Sequence, residues 1–162
     1  MFRTGRIRME EISEWYLLLR MLCAGACGAV LGLERRLRKK GAGIRMHMLT
    51  AVSAALMTVV SQYGFSDLEG AEGIRFGPAG IVAYIVSGSS FLCAGAICVY
   101  HQAVRGLTTA AGLWASVGIG IAAGCGLYLT AAGTTVLVFL SKLLPGGQKR
   151  SLPIKDDICG SN

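Results

Sequence analysis

Charged residues divide the chain into long apolar runs. No Asp, Glu, Lys or Arg occurs in residues 46–66, 76–104 or 106–141. Each run reaches the about 20 residues that carry a helix across the hydrocarbon core of a bilayer. An earlier stretch from Glu14 to Glu34 is apolar apart from Arg20. The pattern predicts an all-α polytopic transmembrane bundle, with the first spans at 14–34, 44–64 and 78–99. Pro78 suits the opening turn of the third, where its missing N–H costs nothing. Residues 106–141 as one helix would extend about 54 Å, far beyond a bilayer core. The sequence Ala122-Ala123-Gly124-Cys125-Gly126 predicts a break there, because glycine clusters punctuate helices. Spans at 107–122 and 126–143 complete a set of five. Residues 1–13 then form an N-terminal tail or interfacial segment, 14–143 the transmembrane domain and 144–162 a cytoplasmic tail.

Loop charge supplies the orientation. Residues 35–45 (RRLRKKGAGIR) hold six basic residues and no acid, which places this loop in the cytoplasm, where Lys and Arg accumulate. The loop at 66–77 carries Asp67, Glu69 and Glu72 against Arg75 and fits the outside. The turn around His101 and Arg105 returns inside. Five spans, with the N-terminus out and the C-terminus in, also keep Lys142, Lys149, Arg150 and Lys155 inside. Arg20 lies about two turns from the outer surface, and its stem can reach back toward the headgroups.

Composition agrees with this reading and narrows the function. Of 162 residues, 53% are hydrophobic and 15% charged; soluble domains carry about a quarter charged residues. Five spans leave no room for a soluble catalytic domain of roughly 100–150 residues. The net charge of +7 therefore reads as membrane topology rather than nucleic-acid binding. The N-terminus lacks the small-residue cleavage site of a signal peptide. The expected location is a bacterial cytoplasmic (inner) membrane, crossed several times, with the lipid bilayer as the first partner.

Small residues recur at helical spacing. Ala24, Gly28 and Gly32 form a stripe on the first span, and Gly112, Ser116, Gly120 and Gly124 form one on the fourth. Such stripes let helix backbones approach closely in lipid. They suit a compact bundle, and they suit a homodimer seam equally well.

Ionisable groups inside membranes are the default functional candidates. Glu34 closes the first span, while Arg45 and His47 open the second across the basic loop. A Glu34–Arg45 ion pair fastening the first hairpin is one reading; a cation or proton site at the cytoplasmic mouth is the other. Ser87, Ser89, Ser90, Thr108 and Thr109 can bond neighbouring helices or line a polar path. Cys23 and Cys27 share a helix face, but no His or carboxylate supports a metal site there, and they read as small fillers. No catalytic constellation, metal site or cofactor-binding pattern is present, so no enzyme activity and no cofactor are expected.

Several segments together resemble a known family. Gly32-Leu33-Glu34-Arg35 followed by Ala42-Gly43-Ile44-Arg45-Met46-His47-Met48-Leu49 is similar to the GLER…AGLRTHML signature of the MgtC/SapB family of bacterial inner-membrane proteins. Residues 85–95 (IVSGSSFLCAG) resemble its IVSGIGFLGAG segment, and residues 106–114 (GLTTAAGLW) its GLTTAATLW segment. The resemblance extends over roughly 16–125 and includes Arg20. It implies a five-helix membrane domain and a link to low-magnesium adaptation and, in some pathogens, to survival inside host cells. One branch of the family is described as acting on the membrane ATP synthase rather than as a transporter. Many members add a cytoplasmic C-terminal domain; with only residues 144–162 after the last span, that domain and its regulation are expected to be absent here. One departure concerns function. The family reads Asp-Pro-Ser-Arg-Ile before its IVSG segment, where the acid is thought to be needed. This chain has Gly77-Pro78-Ala79-Gly80-Ile81, and Tyr84 replaces the usual Gln. The acidic site is therefore not carried over, whereas Glu34, Arg45 and His47 match the signature.

Two functions are expected to compete. One is a non-enzymatic membrane protein that serves magnesium homeostasis by modulating another membrane complex. The other is a secondary transporter or channel for a divalent cation or small solute, with Glu34, Arg45 and His47 at its mouth. An assembly factor without any link to ions is a third reading.

Overall fold

The computed structural model describes residues 14–37, 42–64, 78–100 and 103–144. Five helices dominate: α1 (Glu14–Leu37), α2 (Ile44–Tyr63), α3 (Pro78–Gly95), α4 (Leu107–Gly124) and α5 (Tyr128–Leu143). Between α3 and α4 lies a small antiparallel hairpin of β1 (Cys98–Tyr100) and β2 (Ala103–Arg105), with Cys98 opposite Arg105 and Val99 opposite Val104. The chain is a polytopic transmembrane bundle. The helices α1, α2 and α4 are long and apolar enough to cross a membrane, while α5 and the Gly80–Gly95 part of α3 are shorter apolar helices. At 1.5 Å per residue, the 16 residues of α5 extend about 24 Å, less than the about 30 Å hydrocarbon core. Its last turn carries Lys142.

Two boundaries differ from the hydrophobic pattern for local reasons. The third span ends at Gly95 rather than 99, because Ala96 and Ile97 close a turn onto the Cys93 and Ala94 carbonyls and the chain then enters β1. The break between the last two helices falls at residues 125–127. Gly126 adopts φ 81° there, a left-handed conformation that costs other residues about 1–2 kcal/mol.

The helix α4 is central and touches each of the other four, and α1, α2 and α4 make the closest packing. Glycines explain how. A methyl group at Gly28 would lie 2.6 Å from the His47 carbonyl oxygen, and one at Gly32 would overlap the Ile44 backbone. On α4, a methyl at Gly120 would overlap Ala51, and one at Gly124 would lie 2.8 Å from the Ala55 carbonyl oxygen. Buried Ala24, Leu31, Ala51, Ala55, Ile119, Ala123 and Ala131 fill the core between these helices. By contrast α3 is peripheral, packed on α2 and α4 with most of its side chains exposed.

Several positions raised by the sequence lie outside the described residues: the segment 1–13, the loop acids Asp67, Glu69 and Glu72, the departure at Gly77, His101, and the tail with Lys149, Arg150, Lys155 and Cys159.

Candidate functional site

The basic-loop end of the bundle brings together the C-terminal ends of α1 and α5 and the N-terminal ends of α2 and α4. Glu34 and Arg35 close α1, and both are buried, at 5% and 3% exposure. The Arg35 guanidinium donates from Nη2 to the Thr109 hydroxyl oxygen on α4. His47 is wholly buried. Its Nδ1 donates to the Gly43 carbonyl oxygen at 3.0 Å, one turn back. With the proton committed to Nδ1, the neutral ring presents Nε2 as an acceptor. That atom is buried and has no hydrogen-bond partner among the described residues.

From α5, Lys142 reaches across to donate from Nζ to the Leu31 carbonyl oxygen of α1 at 3.4 Å. The position of Gly112 explains how Lys142 and His47 fit together. A methyl group at Gly112 would lie 2.9 Å from Lys142 Nζ and 3.2 Å from His47 Nε2. The missing side chain thus opens the space into which both groups project. Glu34, Arg35, His47 and Lys142 form one electrostatic cluster, with Glu34 and Arg35 acting on both His47 and Lys142.

Among the sequence candidates, Glu34 and His47 join this cluster, whereas Arg45 has an exposed side chain. Residues 45 and 47 are two apart on α2, and i,i+2 positions do not face the same side of a helix. Arg35, Thr109 and Lys142 were missed as members. Arg35 could have been found from its adjacency to Glu34 at the end of a span. Lys142 gave only a topology signal, because it lies 111 residues from its hydrogen-bond partner Leu31. Ala24, Gly28, Gly32, Gly112, Ser116 and Gly120 are all buried. Ser116 donates to the Gly112 carbonyl oxygen of its own helix at 3.0 Å.

Several other hydroxyls are tied up locally. Ser89 and Ser90 both donate to the Val86 carbonyl oxygen, and Thr58 and Thr135 bond the carbonyls one turn back. Such back-bonding satisfies a hydroxyl without building a path between helices. At the opposite end of the bundle Arg20 does not reach outward. Its Nη1 donates to the Gly124 carbonyl oxygen at 2.8 Å and to Gln62 Oε1 at 3.3 Å, and the guanidinium lies 5.4 Å from the centre of the Tyr63 ring. A cation there answers the unsatisfied carbonyls and negative dipole end of α4.

Comparison with known proteins follows the same segments. The model of the MgtC family matches residues 21–146. The chain is 42% identical over 113 residues to the candidate magnesium transporter YhiD of Escherichia coli K12, covering 70% of this chain and 52% of that protein. An uncharacterised Haemophilus influenzae protein is 42% identical over 124 residues, covering 75% of this chain and 52% of its own length. Protein MgtC of Salmonella typhimurium is 38% identical over 135 residues, or 83% of this chain and 54% of that protein. The chain thus spans about half the length of the curated relatives it matches. No solved structure matches. With one family model covering most of its length and relatives matching the same helices, the chain belongs to the MgtC family.

Proposed function

We propose that this chain is a non-enzymatic protein of a bacterial inner membrane that serves magnesium homeostasis by modulating another membrane complex. The magnesium link rests on the family and on the description of YhiD. The orientation, N-terminus out and C-terminus in, rests on the six basic residues of 35–45.

The observation that carries the modulator role is the charge of the buried cluster. One carboxylate, Glu34, shares it with the Arg35 guanidinium and the Lys142 amine. Arginine stays protonated in proteins, so the cluster holds no excess negative charge whatever the state of Lys142. A magnesium ion sheds water reluctantly and requires oxygen ligands, mainly carboxylates. Among the described residues no three His, Cys, Asp or Glu side chains converge on a metal-sized site. Close glycine contacts between α1, α2 and α4 also favour a packed scaffold over a conduit.

The scaffold leaves an apolar outer surface for a partner. Tyr84, Phe91 and Leu92 on α3 and Leu129 and Leu137 on α5 are exposed. Photo-crosslinkers placed on these faces in native membranes should capture a second membrane protein. Capture of lipid and of other copies of this chain alone would contradict the modulator reading. The transporter reading draws on the burial of Glu34 and on the description of YhiD, and it predicts magnesium flux that depends on Glu34.

A further inference from the structure

The last turn of α5 is held to the bundle differently from the rest of that helix. Its buried residues, Ala131 and Thr135, lie in the first half, and Val138 and Phe139 add partly buried packing against the core. Beyond them Leu140, Ser141, Leu143 and Leu144 are exposed, and half-buried Lys142 is the side chain that reaches inward. Its Nζ bonds the Leu31 carbonyl oxygen at 3.4 Å, longer than a strong N–H···O hydrogen bond. One weak polar contact thus ties this end of α5 to α1.

The amine also meets a second base. A methyl group at Gly112 would touch both Lys142 Nζ and His47 Nε2, so the two nitrogens border one small niche. His47 is wholly buried, and its Nδ1–H is committed to the Gly43 carbonyl oxygen. Its Nε2 has no hydrogen-bond partner among the described residues. The ring therefore has one place left to take a proton, and that place faces the amine. The other charged groups acting on the pair are Glu34 and Arg35 of α1. The neighbours from α4, Thr109 and Gly112, carry no charge, and α3 contains no Asp, Glu, Lys, Arg or His.

With Glu34 ionised, one proton on the pair leaves the cluster with a single positive charge. A second proton would set His47, Lys142 and Arg35 against one carboxylate, and like charges repel strongly away from water. His47 is enclosed on α2 and cannot withdraw. Lys142 can, because it lies in a last helical turn and its long stem reaches toward the headgroups.

We propose that Lys142 and His47 hold one proton between them, and that uptake of a second releases the last turn of α5 from α1. The pair titrates as a unit rather than as two independent groups. Because the released form binds one proton more than the held form, falling pH favours release and rising pH restores the Lys142–Leu31 contact. The inference rests on this geometry and not on the magnesium reading, and its test follows the position of α5 alone.

Fluorine NMR of the full chain in detergent tests it, with trifluoromethyl-phenylalanine in place of exposed Leu144. A titration between about pH 8 and pH 5 brackets the ordinary range of histidine. The resonance should pass from one position to another as pH falls and return as it rises. His47→Gln keeps a polar side chain that cannot take the proton, and Lys142→Met removes the amine. Each should abolish the transition. Lys142 is only half-buried, so its variant keeps the test valid even where His47→Gln fails to fold. A resonance that stays in place across this range in the otherwise unaltered chain overturns the proposal. So does a transition that either variant leaves at the original midpoint.

Discussion

At the scale of single residues, glycines determine which backbones can touch, and their consequences differ by position. Gly32→Ala drives a methyl into the Ile44 backbone, which cannot yield without parting α1 from α2. Overpacking of this kind costs about 1–3 kcal/mol, so the variant should unfold at clearly lower temperature in detergent. Gly118 faces open space, and Gly118→Ala should be neutral or gain up to about 1 kcal/mol from helix propensity. Gly112→Ala meets the flexible end of Lys142 first. It should therefore cost less stability than Gly32→Ala while displacing the lysine from Leu31. Equal melting temperatures for Gly32→Ala and Gly118→Ala would contradict this account of the packing. The alanine–glycine spacing on α1 and α4 was legible before any coordinates, because a repeat of four residues returns to one helix face. The proximity of Lys142 and His47 beside Gly112 was not, since nothing local links positions so far apart in the chain.

At the scale of elements, the ends of helices carry most of the polar chemistry. The α4–α5 break was legible from its glycines, and Gly126→Ala should cost about 1–2 kcal/mol through its positive φ. Arg20 was legible as an unusual charge within a span, but its destination was not. Its partner is the C-terminal carbonyl of α4, a group that every helix offers and no side-chain pattern marks. Arg20→Met should lower stability by about 1.5–3 kcal/mol, the usual worth of a hydrogen bond to a charged group. Arg20→Lys should recover only part, because an ammonium can bond Gly124 and Gln62 as Nη1 does but lacks the planar guanidinium that lies beside the Tyr63 ring. Thermal unfolding of the two variants in matched detergent checks the order. The hairpin at 98–105 escaped the sequence because Cys98-Val99-Tyr100 continues the apolar run of α3. Its strands are three residues long, too short to show alternation.

At the scale of the whole molecule, glycine contacts run along the length of α1, α2 and α4, and Glu34, Arg35, His47 and Lys142 gather at one end. These four come from α1, α2 and α5, with Lys142 and His47 beside Gly112 of α4 and Arg35 bonded to Thr109 of the same helix. Such a cluster fastens four helices at one membrane surface and holds no surplus carboxylate to attract a divalent cation. Magnesium flux into proteoliposomes, with the purified full chain and an entrapped magnesium indicator, tests this most directly. The account predicts flux no greater than in protein-free vesicles, from a sample that still unfolds cooperatively. Flux well above that level, abolished by Glu34→Gln, would contradict it and make the buried cluster the mouth of a transport path.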